Sequence, residues 1–202
     1  MTSWQLSTKA VHAGRPGEVQ DFRPTVPPIH PSVTYTYPSM DALDDVFAGD
    51  RDGYVYARHG SPTVTAFEDA VASLEGAEAG RSSAKAGRTS GPSALAFGSG
   101  MAAIHTALLA VGATQGSTVL AAQDLYGATL ALLTDLMSSQ GVDVHVVDAA
   151  DTAAVEDACR RLQPAALLVE TISNPLLKLA DLPALADAAH AAGARFLVDA
   201  TF

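Results

Sequence analysis

The chain has 202 residues, 48% of them hydrophobic and 17% charged, enough to build a substantial core and to predict one domain or most of one. A formal net charge of -10 gives no electrostatic reason to expect nucleic acid or an anionic membrane as partner, and no apolar run approaches the ~20 residues that span a bilayer. Cys159 is the single cysteine, so neither a disulfide framework nor a zinc or other metal site is expected, and with no secretory leader in view the setting predicted is the reduced cytoplasm.

Residues 1–38 are cut by Pro24, Pro27, Pro28, Pro31 and Pro38 too often for a helix or a central strand. Val26, Ile29, Val33, Tyr35 and Tyr37 make the segment too apolar for ordinary disorder, which predicts an extended arm lying on a surface, such as that of a partner subunit. A short helix is expected over 40–47, with Ser39 as N-cap and Gly49 past its end. The polar loop 50–63 holds two tyrosines and two arginines, among them Tyr56 and Arg58. Ser61 and Pro62 suit the N-cap and first residue of the next helix, where Val64, Phe67, Val71 and Leu74 form one apolar stripe. Residues 80–93 are small, polar and locally basic and read as a flexible insert.

From residue 94 onward the pattern alternates. Strands are expected over 94–97, 118–122, 143–148, 165–170 and 195–199, and helices over 101–111, 126–139, 152–162 and 182–192. Gly112, Gly141 and Gly193 stop three of the helices and Pro183 starts the last. Such alternation predicts an α/β fold with a mostly parallel sheet flanked by helices. Ligands then bind at the carboxyl ends of the strands, at 98–101, 124–126, 148, 170–174 and 199.

Each of those positions has two readings. The turn Gly98-Ser99-Gly100 is a phosphate seat at a helix N-terminus, or an ordinary tight connection. Tyr126 is an aromatic platform or simply the start of a helix; Asn174, before Pro175, is an amide donor or a turn residue; Asp199 is a charge partner or a cap. Together they describe what a phosphorylated aromatic cofactor needs: a phosphate seat, a flat surface, a donor to a ring oxygen and a carboxylate for a ring nitrogen. The competing reading takes Gly98-Ser-Gly-Met-Ala-Ala103 as the G-x-G-x-x-A fingerprint of a dinucleotide-binding oxidoreductase, with Asp124 on the ribose. That leaves Tyr56, Arg58, Asn174 and Asp199 without a role and puts the fingerprint behind a long arm instead of at the start of its domain.

A series of motifs in fixed order carries a resemblance. They are Thr8-Lys-Ala-Val-His-Ala-Gly14, Val26-Pro-Pro-Ile29, Tyr54-Val-Tyr-Ala-Arg58 with Ser61-Pro-Thr63, and Leu74-Glu-Gly76. Then come Gly98-Ser-Gly-Met-Ala-Ala-Ile104, Asp124-Leu-Tyr-Gly127, Glu170-Thr-Ile-Ser-Asn-Pro175 and Val198-Asp-Ala-Thr-Phe202. In these the chain resembles the Cys/Met-metabolism family of pyridoxal-phosphate enzymes, which includes cystathionine γ-synthase and γ-lyase, methionine γ-lyase and O-acetylhomoserine sulfhydrylase. The resemblance implies a transferase fold of type I and a γ-elimination or γ-replacement on cystathionine, methionine or an O-acyl-homoserine. It also implies a homo-oligomer, a dimer of dimers.

By the same resemblance, Tyr56 and Arg58 reach the cofactor phosphate from a neighbouring subunit, and Gly100 and Met101 give it backbone N–H groups. Tyr126 stacks on the ring and assists proton transfer, Asn174 bonds the phenolic oxygen, Asp199 keeps the ring nitrogen protonated, and Thr201 assists. The chain departs from the family pattern at Ser61, at Ala200, in the longer 80–93 join, and at Ala128, where methionine γ-lyases place a reactive cysteine. In the family a Schiff-base lysine in a Ser-x-x-Lys setting follows the Val198–Phe202 motif, and Lys9, Lys85 and Lys178 do not match it. The expectation is therefore an N-terminal half with the C-terminal domain missing: an arm over 1–62 and a truncated cofactor domain over 63–202. A non-catalytic binding or assembly fragment is the alternative of another class.

Overall fold

The computed structural model describes residues 5–12, 24–76 and 94–202; the insert expected at 80–93 lies outside them. The chain divides into two units, Met1–Ala96 and Phe97–Phe202.

In the first unit, the expectation of an arm without regular structure is corrected at its start. Leu6–His12 forms a helix (α1), because these seven residues contain neither proline nor glycine and the prolines that bar a helix come later. Residues 24–38 are extended, joined to the following loop by one antiparallel bridge between Thr34 and Tyr56 and by Tyr37 Oη donating to the Tyr54 carbonyl at 3.0 Å. Two capped helices follow. In α2 (Met40–Ala48), Ser39 Oγ accepts the Ala42 N–H at 3.2 Å; in α3 (Pro62–Leu74), Ser61 Oγ accepts the Val64 N–H at 3.3 Å.

The apolar stripe expected to seat α3 does not do so. Val64, Phe67 and Leu74 are exposed, Phe67 by 61%, whereas Glu68 and Ala72 are buried. A glutamate tolerates that place because Glu68 Oε1 accepts the Ala96 N–H at 2.9 Å. The same bond bears on the strand expected at 94–97. Those residues form no ladder, since the Ala96 N–H bonds a side chain and Leu95 is 73% exposed. The described sheet accordingly has four strands where five are expected.

That sheet lies in the second unit. Strands β1 (Thr118–Ala122), β2 (Asp143–Val147), β3 (Ala166–Glu170) and β4 (Arg195–Asp199) are all parallel, in the order β2-β1-β3-β4. The two central strands are near-continuous apolar runs and almost wholly buried, as strands covered on both faces must be; β2 and β4, at the edges, are more open. Leu120, Leu133, Met137, Val155, Leu167 and Leu185 make the centre of the core.

The helices are α4 (Gly100–Ala110), α5 (Gly127–Ala131), α6 (Thr152–Leu162) and α7 (Leu182–Ala191). The single α-helix expected over 126–139 instead passes into a π-helical segment at Leu132–Met137. Here the Thr134 hydroxyl bonds the Leu130 carbonyl and the Ser138 hydroxyl bonds that of Leu133, so side chains compete for the ladder. Gly112, Gly141 and Gly193 take positive φ after their helices, the backbone state a glycine adopts without a Cβ clash. The chain leaves β1 toward one edge and β2 toward the other, so the crevice of the sheet opens between the carboxyl ends of β1 and β3.

Candidate functional site

At that crevice the Glu170 side chain ties the segments leaving β1 and β3. Glu170, the last residue of β3, is buried; its Oε1 accepts the Tyr126 N–H at 2.6 Å and its Oε2 accepts the Asn174 N–H at 3.1 Å. Tyr126 stands at the N-cap of α5 with no side-chain cap, and Glu170 meets the need that a helix start leaves open. Tyr126 is 50% exposed, so an aromatic residue stands open to solvent at this end of the sheet.

The loop after β3 is closed on itself. Ser173 N–H donates to the Lys178 carbonyl at 3.0 Å, and Lys178 N–H donates to Ser173 Oγ at 3.1 Å. Lys178 Nζ reaches the segment after β1, 2.6 Å from Asp124 Oδ2, and stands 3.9 Å from Asp148 Oδ2 after β2. The hydrogen bond that Lys178 donates to the Asp124 carboxylate holds the Lys178 pKa above the ordinary lysine value. The Lys178 amine is therefore not left unpaired at this crevice. Nor is the Asp124 carboxylate left free for a ribose.

The helix start at residue 100 supplies a different chemistry. Ser99 Oγ accepts the Ala102 N–H at 3.1 Å, and the N–H groups of Gly100 and Met101, first in α4, have no partner within the helix. Among the described residues, a Cβ at Gly98 or Gly100 would meet nothing within 4 Å, so the turn is open on that side to a ligand. Thr129 Oγ1 lies 3.8 Å from Met101 Sδ, tying α4 to α5. Because 94–97 forms no strand, the strand-turn-helix context that a dinucleotide fingerprint requires is missing here.

Asp199 closes β4. Its Oδ1 accepts both the backbone N–H and the hydroxyl of Thr201, its carbonyl accepts the Thr171 N–H at 3.0 Å, and Oδ2 has no hydrogen-bond partner among the described residues. Thus Met101 is linked to the segment of Tyr126, Tyr126 through Glu170 to Asn174, and the β3 exit to Asp199 and Thr201. Tyr56 and Arg58 belong to the first unit, both exposed, with Arg58 Cζ 4.9 Å from the Tyr56 ring centre. Sequence reasoning assigned no role to Glu170 and Lys178. The one available signal was a lone carboxylate ending the apolar run of β3.

Residues 7–202 match the Cys/Met metabolism PLP-dependent enzyme family. An O-succinylhomoserine sulfhydrylase of Mycobacterium tuberculosis is 35% identical over 182 residues, 90% of this chain and 41% of that one. An L-methionine gamma-lyase of Pseudomonas putida is 35% identical over 200 residues, 98% of this chain and 45% of that one. The crystal structure of metB from Corynebacterium glutamicum matches with a TM-score of 0.80 at 31% identity, over 99% of this chain and 46% of that one. The chain therefore spans less than half the length of these relatives.

Proposed function

The chain belongs to the Cys/Met metabolism PLP-dependent enzyme family, with the type I fold of its structural relatives, and from that premise we propose a trans-sulfuration role. The protein would carry out γ-elimination or γ-replacement on cystathionine, methionine or an O-acyl-homoserine. The names of its relatives, a sulfhydrylase and a methionine lyase, support that substrate class.

The residues at the strand ends fit pyridoxal phosphate. The open turn at 98–101 offers two uncommitted N–H groups to a phosphate, and the uncommitted Asp199 oxygen offers a negative charge to a protonated ring nitrogen. When bound, the cofactor draws electrons from the substrate carbon. Gly100 and Met101 would bind the phosphate, Tyr126 would stack on the ring and help move a proton, and Asn174 would donate to the phenolic oxygen. Asp199, steadied by Thr201, would hold the proton on the ring nitrogen. Tyr56 and Arg58 would add a planar cation to the phosphate from a neighbouring subunit. With the arm at 1–62 serving that neighbour and the cofactor domain at 63–202, the assembly would be a cytoplasmic homotetramer.

The observation that carries this reading is the chain of contacts joining Met101, Tyr126, Asn174 and Asp199 at one end of the sheet. Titration of the complete gene product with pyridoxal phosphate tests it. Wild type should bind, and Asp199→Ala should bind roughly tenfold or more weakly, the worth of a charge-assisted hydrogen bond. Unchanged affinity in the variant would remove Asp199 from its role, and no binding by wild type would sink the proposal.

A further inference from the structure

We infer that Glu170 is a positioning residue that fixes the separation of Tyr126 and Asn174, with Lys178 as a second tie between the same two loops. The inference rests on the cofactor reading above only in naming what those two side chains face. Strands β1 and β3 are direct neighbours in the sheet, with Leu120 beside Leu167, so their exits start close together. Among the described residues, the ladder between these two strands ends at the pair Ala121 and Leu168. Glu170 supplies the hold, giving one oxygen to the N–H of Tyr126 and the other to the N–H of Asn174.

A carboxylate is the side chain suited to this task. It has two acceptor oxygens and no donor, and both of its targets are donors. Burial makes each bond stronger and makes an unfilled acceptor costly, so the two loops are drawn onto one group. Lys178 adds a second tie. It lies four residues past Asn174 and its Nζ bonds Asp124, two residues before Tyr126. The loops that carry the two residues expected to touch the ring on its face and at its oxygen are thereby tied by two side chains. Neither Glu170 nor Lys178 needs to touch the cofactor.

The test uses Glu170→Gln in the complete gene product, which keeps the side-chain size and removes one acceptor. Lys178→Met is the second variant, since it leaves both Glu170 bonds in place. Two ligands are titrated: pyridoxal phosphate, which has the ring, and inorganic phosphate, which does not. Amide hydrogen exchange at Tyr126 and Asn174 is read without ligand. The expected result for Glu170→Gln is about tenfold weaker binding of pyridoxal phosphate, unchanged binding of inorganic phosphate, and faster exchange at one or both amides. Lys178→Met should show a smaller loss of the same pattern. Equal weakening of both ligands would make Glu170 a general structural residue and overturn the inference, as would pyridoxal phosphate binding at wild-type strength in Glu170→Gln. Should wild type bind no pyridoxal phosphate, the proposed function falls separately, and exchange alone then decides: faster exchange supports the brace, unchanged exchange overturns it.

Discussion

Lys178 and Cys159 show how position changes the chemistry of a side chain. Asp124 favours the charged form of Lys178, so the folded chain releases that proton at higher pH than an unfolded chain, whose lysine titrates near the ordinary 10.5. The ion pair thus adds stability that is fully present below the ordinary lysine value and is lost as pH rises through the higher folded value. In urea unfolding, the stability difference between wild type and Lys178→Met should stay level from about pH 7 to 9 and shrink in more alkaline solution. A difference that widened on that side would contradict the pairing. Cys159 goes the other way in reactivity: it is fully buried, and desolvation pushes its thiol pKa up. Its alkylation by a thiolate-directed reagent should be slow in the native protein and become rapid only on denaturation; fast native labelling would contradict that burial.

At the scale of an element, stability is set locally where a side chain closes a helix end. Asp151 Oδ1 accepts the Ala154 N–H at 3.0 Å at the start of α6. Asp151→Ala should lower unfolding free energy by about 1 kcal/mol, checked by a shift of the urea midpoint with an unchanged slope. Features of this local kind were legible in the sequence: the caps Ser39 and Ser61, the span of α6, and the strand ends that place Tyr126, Asn174 and Asp199. What could not be read depended on partners far along the chain. Whether 94–97 joins a ladder depends on Glu68 claiming the Ala96 N–H, and a hydrophobic pattern carries no trace of that competition. The stripe on α3 shows the same limit, because a periodic face says which side is apolar and not whether anything in this chain covers it. Glu170 escaped for the same reason: its role exists only once Tyr126, 44 residues earlier, has been folded against it.

At the scale of the whole molecule, the role proposed for Tyr56 and Arg58 divides into two arrangements, a phosphate held by a neighbouring subunit or one held by their own. Both are exposed, and the guanidinium over the Tyr56 ring satisfies a cation without burying it. If Arg58 works in a neighbouring subunit, one site takes Arg58 from one chain and Asp199 from the other. A mixed dimer of Arg58→Ala and Asp199→Ala then has one site with both defects and one site with neither, because a two-fold axis exchanges the roles of the chains. Each variant alone should bind pyridoxal phosphate weakly. Co-expressed in equal amounts with random pairing, half the dimers are mixed, and about one quarter of wild-type tight sites should reappear. If Arg58 instead serves its own chain, every site in the mixture carries one defect and no tight binding returns. Counting tightly bound pyridoxal phosphate per chain separates the two arrangements without requiring any turnover.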